Sequence, residues 1–147
     1  ILWEGELITS GSSERLDYLM AAAAVSGITG NIRTGRTLHD KRLNVIGAAI
    51  CERLDGSGAV SVDLREDRDG NPLVTEINAR FAARPWLYTG AGANFAAAIV
   101  ELVEGHRPQM SQFDAPQAGM LENRQVDAEP VIIPEAELDN SRLSTES

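Results

Sequence analysis

Two runs of alternating apolar and polar residues, Gly58-Ala-Val-Ser-Val-Asp63-Leu-Arg and Pro72-Leu-Val-Thr-Glu76-Ile-Asn78-Ala-Arg80, flank the sequence Arg68-Asp69-Gly70-Asn71. Period-two alternation on both sides of an Asp-Gly turn predicts an antiparallel β-hairpin. Side chains two residues apart share a face, so Glu76, Asn78 and Arg80 are expected on one side. Val74, Ile77 and Phe81 are the apolar candidates for packing around it. Reading back across the turn brings Asp63 beside Glu76.

The remaining elements follow from the same reading. Ile1 to Thr9 predicts a short hairpin around Glu4-Gly5. Local propensity favours a helix over Leu16 to Ala24, rich in Ala, Leu and Met, with Ser12 or Ser13 as cap. Ser26 to Arg36 is rich in Gly and Thr and reads as a loop with one short extended segment. Thr37-Leu-His-Asp40 has the form of a helix start, with Thr37 as cap, for a helix to about Leu54 whose stripe is Leu43, Ile46, Ile50 and Leu54. Phe81 to Asn94 reads as a loop leading into a helix with Phe95, Ile99, Leu102 and Val103 buried, closed by Gly105 and Pro108. The Gly90 to Asn94 turn at its start is a candidate for facing an anionic group.

Asp63, Glu76 and Asn78 together offer only oxygen ligands, which suits a hard cation such as magnesium and gives zinc or copper no hold. Arg80 would present a planar fork to a phosphate or carboxylate beside the metal. This is a phosphoryl-transfer arrangement by type. An exposed hairpin with one wet face is the plain alternative. An EF-hand is excluded, because counting back from Gly70 puts Arg65 where the first carboxylate ligand belongs.

Glu76-Ile77-Asn78-Ala79-Arg80, with Asp63 on the preceding strand, resembles the carboxy-terminal half of the ATP-grasp superfamily, the fold of carboxylate–amine ligases, biotin carboxylase and carbamoyl phosphate synthetase units. In that family the run often reads Glu-Ile-Asn-Pro-Arg, and Ala79 replaces the proline here. The resemblance spans about Ile1 to Glu104. It also suggests that the second arm of the first hairpin continues toward Arg15. It implies an α+β fold, mostly antiparallel sheet flanked by helices, as the carboxy-terminal half of an ATP-grasp domain. It implies ATP and Mg²⁺ (or Mn²⁺) as cofactors and a small carboxylate or bicarbonate as substrate, activated as an acyl phosphate for attack by an amine or similar nucleophile. Asp63 and Glu76 would hold the metal ions, Glu76 bridging them, with Asn78 completing the second site. Arg80 would be the catalytic residue, stabilising the transferring phosphoryl or the acyl phosphate.

The family's glycine-rich loop and phosphate-binding lysine have no counterpart in the chain, whose only lysine is Lys41. The chain is therefore expected to be a fragment that needs the amino-terminal half of the domain as its partner and is inactive alone. A non-catalytic binding or assembly module on the same fold is the second reading.

Composition narrows the class. The 147 residues are 43% hydrophobic, enough for one core, and the formal charge of −9 disfavours nucleic acid as a partner. No run approaches the roughly 20 apolar residues of a membrane span, so no membrane partner is expected. Cys51 is the only cysteine, which excludes an internal disulfide, fits a cytoplasmic location, and reads as a small buried hydrophobe. His39 and His106 stand beside no nucleophile and read as surface or capping residues, while Arg15, Arg33 and Arg36 are candidates for anionic substrate groups or for plain solvent exposure. Organisation is expected as residues 1–106, the ATP-grasp part, followed by 107–147, an acidic, proline-containing tail or linker. From Ser111 onward there are eight acids against two bases, and Val131 to Ile133 is its one candidate edge strand.

Overall fold

The computed structural model describes residues 1–18, 32–124 and 131–137. The chain is α+β, with antiparallel pairing in every sheet. The first hairpin forms as expected: β1 (Leu2–Trp3) pairs with β2 (Glu6–Leu7) across a turn in which Glu4 and Gly5 both have positive φ, 49° and 79°. Two successive left-handed residues match the twist of the flanking strands.

The main sheet has four strands in the order β3 (Ser12–Tyr18), β4 (Ile32–Leu38), β7 (Met120–Asn123), β8 (Val131–Pro134). Two expectations are corrected here. Leu16 to Tyr18, the start of the helix favoured by propensity, belongs to β3, because pairing with β4 outweighs a few tenths of a kcal/mol per residue of helix preference. The rest of that helix, to Ala24, lies outside the described residues. The expected Gly- and Thr-rich loop is, from Ile32 on, a seven-residue strand at the centre of the sheet. Its small residues serve close packing, with Ile32, Gly35 and Thr37 all buried.

α1 (Lys41–Cys51) starts three residues later than expected. Asp40 caps it by accepting from Arg42 N, while Thr37 stays in β4 and its hydroxyl bonds Gln117 O at 2.6 Å. Cys51 is buried in its last turn, as expected. β5 (Ser61–Glu66) and β6 (Pro72–Asn78) form the expected hairpin. Arg42 anchors its tip, donating to Gly70 O at 2.7 Å and to Glu66 at 3.0 Å.

The expected loop before the last helix contains a further helix, α2 (Pro85–Gly90), opened by proline at its first position. α3 (Phe95–Val103) is capped by Asn94 and ends at Gly105, φ 81°. It buries Ala98 and Leu102, whereas Val103 is 70% exposed, contrary to the expected stripe. α2 lies on one face of the main sheet, where Leu87, Ala91, Met120 and Ile132 form a core cluster.

The segment expected to be tail is, through β7 and β8, part of this sheet. Ala115 N bonds Ser10 O, Pro116 is fully buried, and His39 Nε2 meets Pro116 O at 2.8 Å. The Val131 to Ile133 strand forms as expected and closes the edge. Residues 125–130 and 138–147 lie outside the described residues.

Gly11 lets this segment close on β3: a Cβ there would lie 2.4 Å from the Pro116 ring. Gly47, inside α1, meets nothing within 4 Å. In urea titrations, Gly11→Ala is expected to lose about 1–3 kcal/mol to overpacking against a ring that cannot rotate away. Gly47→Ala is expected to gain about 0.5–1 kcal/mol from helix propensity. The reverse order would contradict this packing.

Candidate functional site

The hairpin carrying the candidate ligands is set by its turn. Asp67 Oδ1 accepts from Asp69 N and Asn71 N at 2.9 and 2.8 Å, and Gly70 takes φ 79°. The pairing that follows puts Asp63 directly opposite Glu76 and Ser61 directly opposite Asn78. Residues opposite each other in an antiparallel pair share a face, so Asp63, Glu76, Ser61 and Asn78 are brought together.

Thr75 is the extra residue of a bulge between Asp63 and Leu64, and its hydroxyl bonds back to Asp63 O at 3.0 Å. Bulges re-aim side chains, and this one keeps the acidic pair in register while Leu64 meets Val74. Val62, Leu64, Val74 and Ile77 therefore share the opposite, apolar face. Contrary to expectation that face is open: Val74 is 44% and Ile77 48% exposed, and Phe81 is exposed as well.

Two carboxylates directly opposite one another repel, and a cation beside them relieves that cost. Arg15, from β3, donates from Nη2 to Asp63 Oδ2 at 2.5 Å, joining the acidic face of the hairpin to the main sheet. Among the described residues Glu76 has no salt-bridge partner. Nor do any three His, Cys, Asp or Glu residues cluster among them. The donor set at the hairpin is thus two carboxylates and an amide oxygen, which fits a small hard cation and no softer one. Arg33 instead lies 3.5 Å from Asp17, and Arg36 bridges Glu14 and Glu135.

Strand alternation does not place Arg80 on this face. It falls just past β6, exposed, with Nη1 donating to Phe81 O at 3.0 Å. The alternation that placed it with Glu76 and Asn78 ends when the strand ends at Asn78. Gly90, proposed from sequence as part of an anion-facing turn, ends α2 and packs against Ile132, where a Cβ would lie 2.4 Å from the side chain.

Sequence reasoning missed Arg84. This residue precedes Pro85 and reads as loop, yet it is 4% exposed. Register explains where it goes. Arg15, Gly35 and Glu122 form one row across β3, β4 and β7, and Arg84 lies over Gly35, so close that a Cβ there would fall 1.5 Å from Nη1. Nη1 is 3.5 Å from Oε2 of Glu122, which is 1% exposed: near enough for attraction, too far for a hydrogen bond. Tyr88, from α2, completes the row's surroundings, with its hydroxyl 2.9 Å from Ser13 Oγ.

Burial governs the protonation of these groups. It pushes the Tyr88 phenol up, although the Ser13 hydrogen bond and the charge of Arg84 pull it down. It lowers Arg84, against the raising effect of Glu122, and the nearby charges of Arg124 and Arg15 lower it further. It raises Glu122 above the ordinary 4.5, with Arg84 and Arg124 opposing.

No protein-family model, curated protein or solved structure matches the chain.

The raised Glu122 carboxyl has a defined linkage sign. Between 4.5 and its raised value the native state holds a proton that the unfolded chain has released, so this group lowers stability as pH rises through that window. Glu6, Asp40 and Asp67 are lowered by their partners and act the other way, losing stability as pH falls. Comparing Glu122→Gln with the parent at each pH isolates the first term. The variant is expected to gain stability relative to the parent as pH rises from about 4.5 toward neutrality. A difference that is flat or of opposite sign in denaturation curves would contradict the buried environment of Glu122.

Proposed function

We propose that this chain supplies the metal-binding half of an ATP-grasp ligase, one that activates a carboxylate or bicarbonate with ATP for attack by an amine or similar nucleophile. The observation that carries this reading is the direct opposition of Asp63 and Glu76, with Asn78 on the same face. In the proposed reaction a substrate carboxylate oxygen attacks the γ-phosphorus and ADP leaves. The nucleophile then attacks the acyl carbon and inorganic phosphate leaves.

The chain's own part is to bind and orient. Asp63 and Glu76 would hold Mg²⁺ through carboxylate oxygens, and Asn78 would add its amide oxygen. When bound, the ion supplies charge neutralisation for the phosphates. Arg15 holds the Asp63 carboxylate in place, so one ligand is oriented before any cation arrives. Arg80 would need a different rotamer to reach a phosphoryl group, exchanging its bond to Phe81 O for one to the substrate. Such chemistry rests mainly on positioning and electrostatic stabilisation, for which a hairpin anchored by Arg15 and Arg42 is suited. The adenine clamp and the phosphate-binding lysine would come from the other half of the domain.

Manganese, a paramagnetic stand-in for magnesium, gives the test. Titrated into the chain and followed by electron paramagnetic resonance, it is expected to bind saturably. Asp63→Asn and Glu76→Gln should each weaken it by at least the roughly tenfold that even an outer-shell change produces. Unchanged manganese affinity in both folded variants would remove the basis of the reading. The chain alone is also expected to show no ATP-dependent ligation, and measurable turnover without a second polypeptide would refute the half-domain assignment.

A further inference from the structure

Away from the acidic hairpin face, the β1–β2 hairpin and the end of α3 border a cleft of about 300 Å³. That volume is at the lower end of the range for small-molecule sites. Ile8 and Leu102, 6% and 9% exposed, give it an apolar inner surface, and the Trp3 side chain adds an aromatic one. Glu4, Glu6 and Arg107 line it from exposed positions.

The charges there do not balance. Arg107 forks onto Glu6, its Nη2 and Nη1 donating to Oε1 and Oε2 at 2.6 and 3.2 Å, which holds the Glu6 carboxyl below its ordinary range. Among the described residues Glu4 has no salt-bridge partner. α3 carries no basic residue in its last turn, and Gly105, just past its end, lines the cleft. The negative end of the helix dipole therefore adds to the Glu4 charge. Glu4 is also an unexpected residue for its conformation: at φ 49° it occupies the left-handed region, where Asn or Gly costs less. The backbone is held there by Glu4 N donating to Ser57 Oγ at 2.8 Å and Gly5 N donating to Gly56 O at 3.0 Å. A carboxylate thus stands at the cleft against local preference.

We propose that this cleft binds an alkylammonium ion, its hydrocarbon part against Ile8 and Leu102 and its charge shared between the Glu4 carboxylate and the Trp3 ring. A bare metal ion would gain nothing from the apolar surface, and an alkyl carboxylate would meet Glu4 and the helix end with the wrong sign. Indole attracts organic cations more strongly than the other aromatic side chains do. The same group is carried by a free aliphatic amine and by a lysine side chain. The site shares no residue with Asp63, Glu76 and Asn78, so it does not depend on the ligase reading.

The chain's two tryptophans supply the probe and its internal reference. Butylammonium chloride is titrated into the ¹⁵N-labelled chain at about pH 8, where an alkylamine is charged, with sodium chloride reduced to hold ionic strength. The Trp3 indole N–H is expected to shift saturably while that of Trp86, on α2 and outside the cleft, stays in place. Glu4→Asn removes the charge yet suits the left-handed turn, so it should melt no lower than the parent and bind butylammonium at least roughly threefold more weakly. Asp69→Asn, the same change of net charge in the β5–β6 turn, should keep the parent affinity. Nα-acetyl-lysine N-methylamide is run alongside: tighter binding than butylammonium assigns the cleft to a lysine side chain of a partner, weaker binding to a free amine. Butanol or butyrate shifting Trp3 at the same concentrations, equal movement of both indoles, or full affinity in Glu4→Asn would overturn the proposal.

Discussion

Two carboxylates facing each other across a strand pair are a liability, and the way this molecule answers it organises the site. A hairpin of two strands has little stability of its own, and like charges opposed on it make matters worse. Arg15 reaches across from the main sheet to Asp63, and Arg42 reaches from α1 to the tip at Glu66 and Gly70. The first contact neutralises one member of the pair. Glu76, the other, stays exposed, so the face retains a negative charge suited to a cation. The energy in the Arg15 contact is small, below about 1 kcal/mol for a pair this accessible to water. Its consequence is orientation: the acidic face is held toward the main sheet.

Arg84 and Glu122 show the opposite regime. Both are buried, neither is hydrogen-bonded to the other, and each is shifted by burial in the direction that disfavours its charge. A pair of this kind contributes little net stability, because desolvation offsets most of the attraction. A well-packed apolar pair in the same space would have stabilised the sheet more.

Much of the hairpin was legible in the sequence because every signal there is local. Alternation and the Asp-Gly turn predict the hairpin from local signals, while the pairing of Asp63 with Glu76 also depends on the bulge at Thr75, which has no mark of its own in the sequence. Legibility failed where tertiary partners decide. Leu16 to Tyr18 looks helical until β4 is available to pair with it, and Met120 to Asn123 shows no alternation, because neighbours cover both of its faces. Thr37 and Asp40 both have capping chemistry, and only the length of β4 decides between them. Arg84 was invisible for a sharper reason. Its burial depends on Gly35, distant in sequence, which supplies space instead of a side chain and so leaves no mark of its own. Arg80, by contrast, was over-read, since alternation was carried two residues beyond the end of the strand.

The central claim is that Asp63 and Glu76 converge on one cation. Anomalous diffraction from crystals of the chain soaked in manganese tests it most directly. The account places a manganese peak between the two carboxylates, within bonding distance of both and of the Asn78 oxygen. A peak bound elsewhere, or none there while Arg15 remains on Asp63, would contradict it.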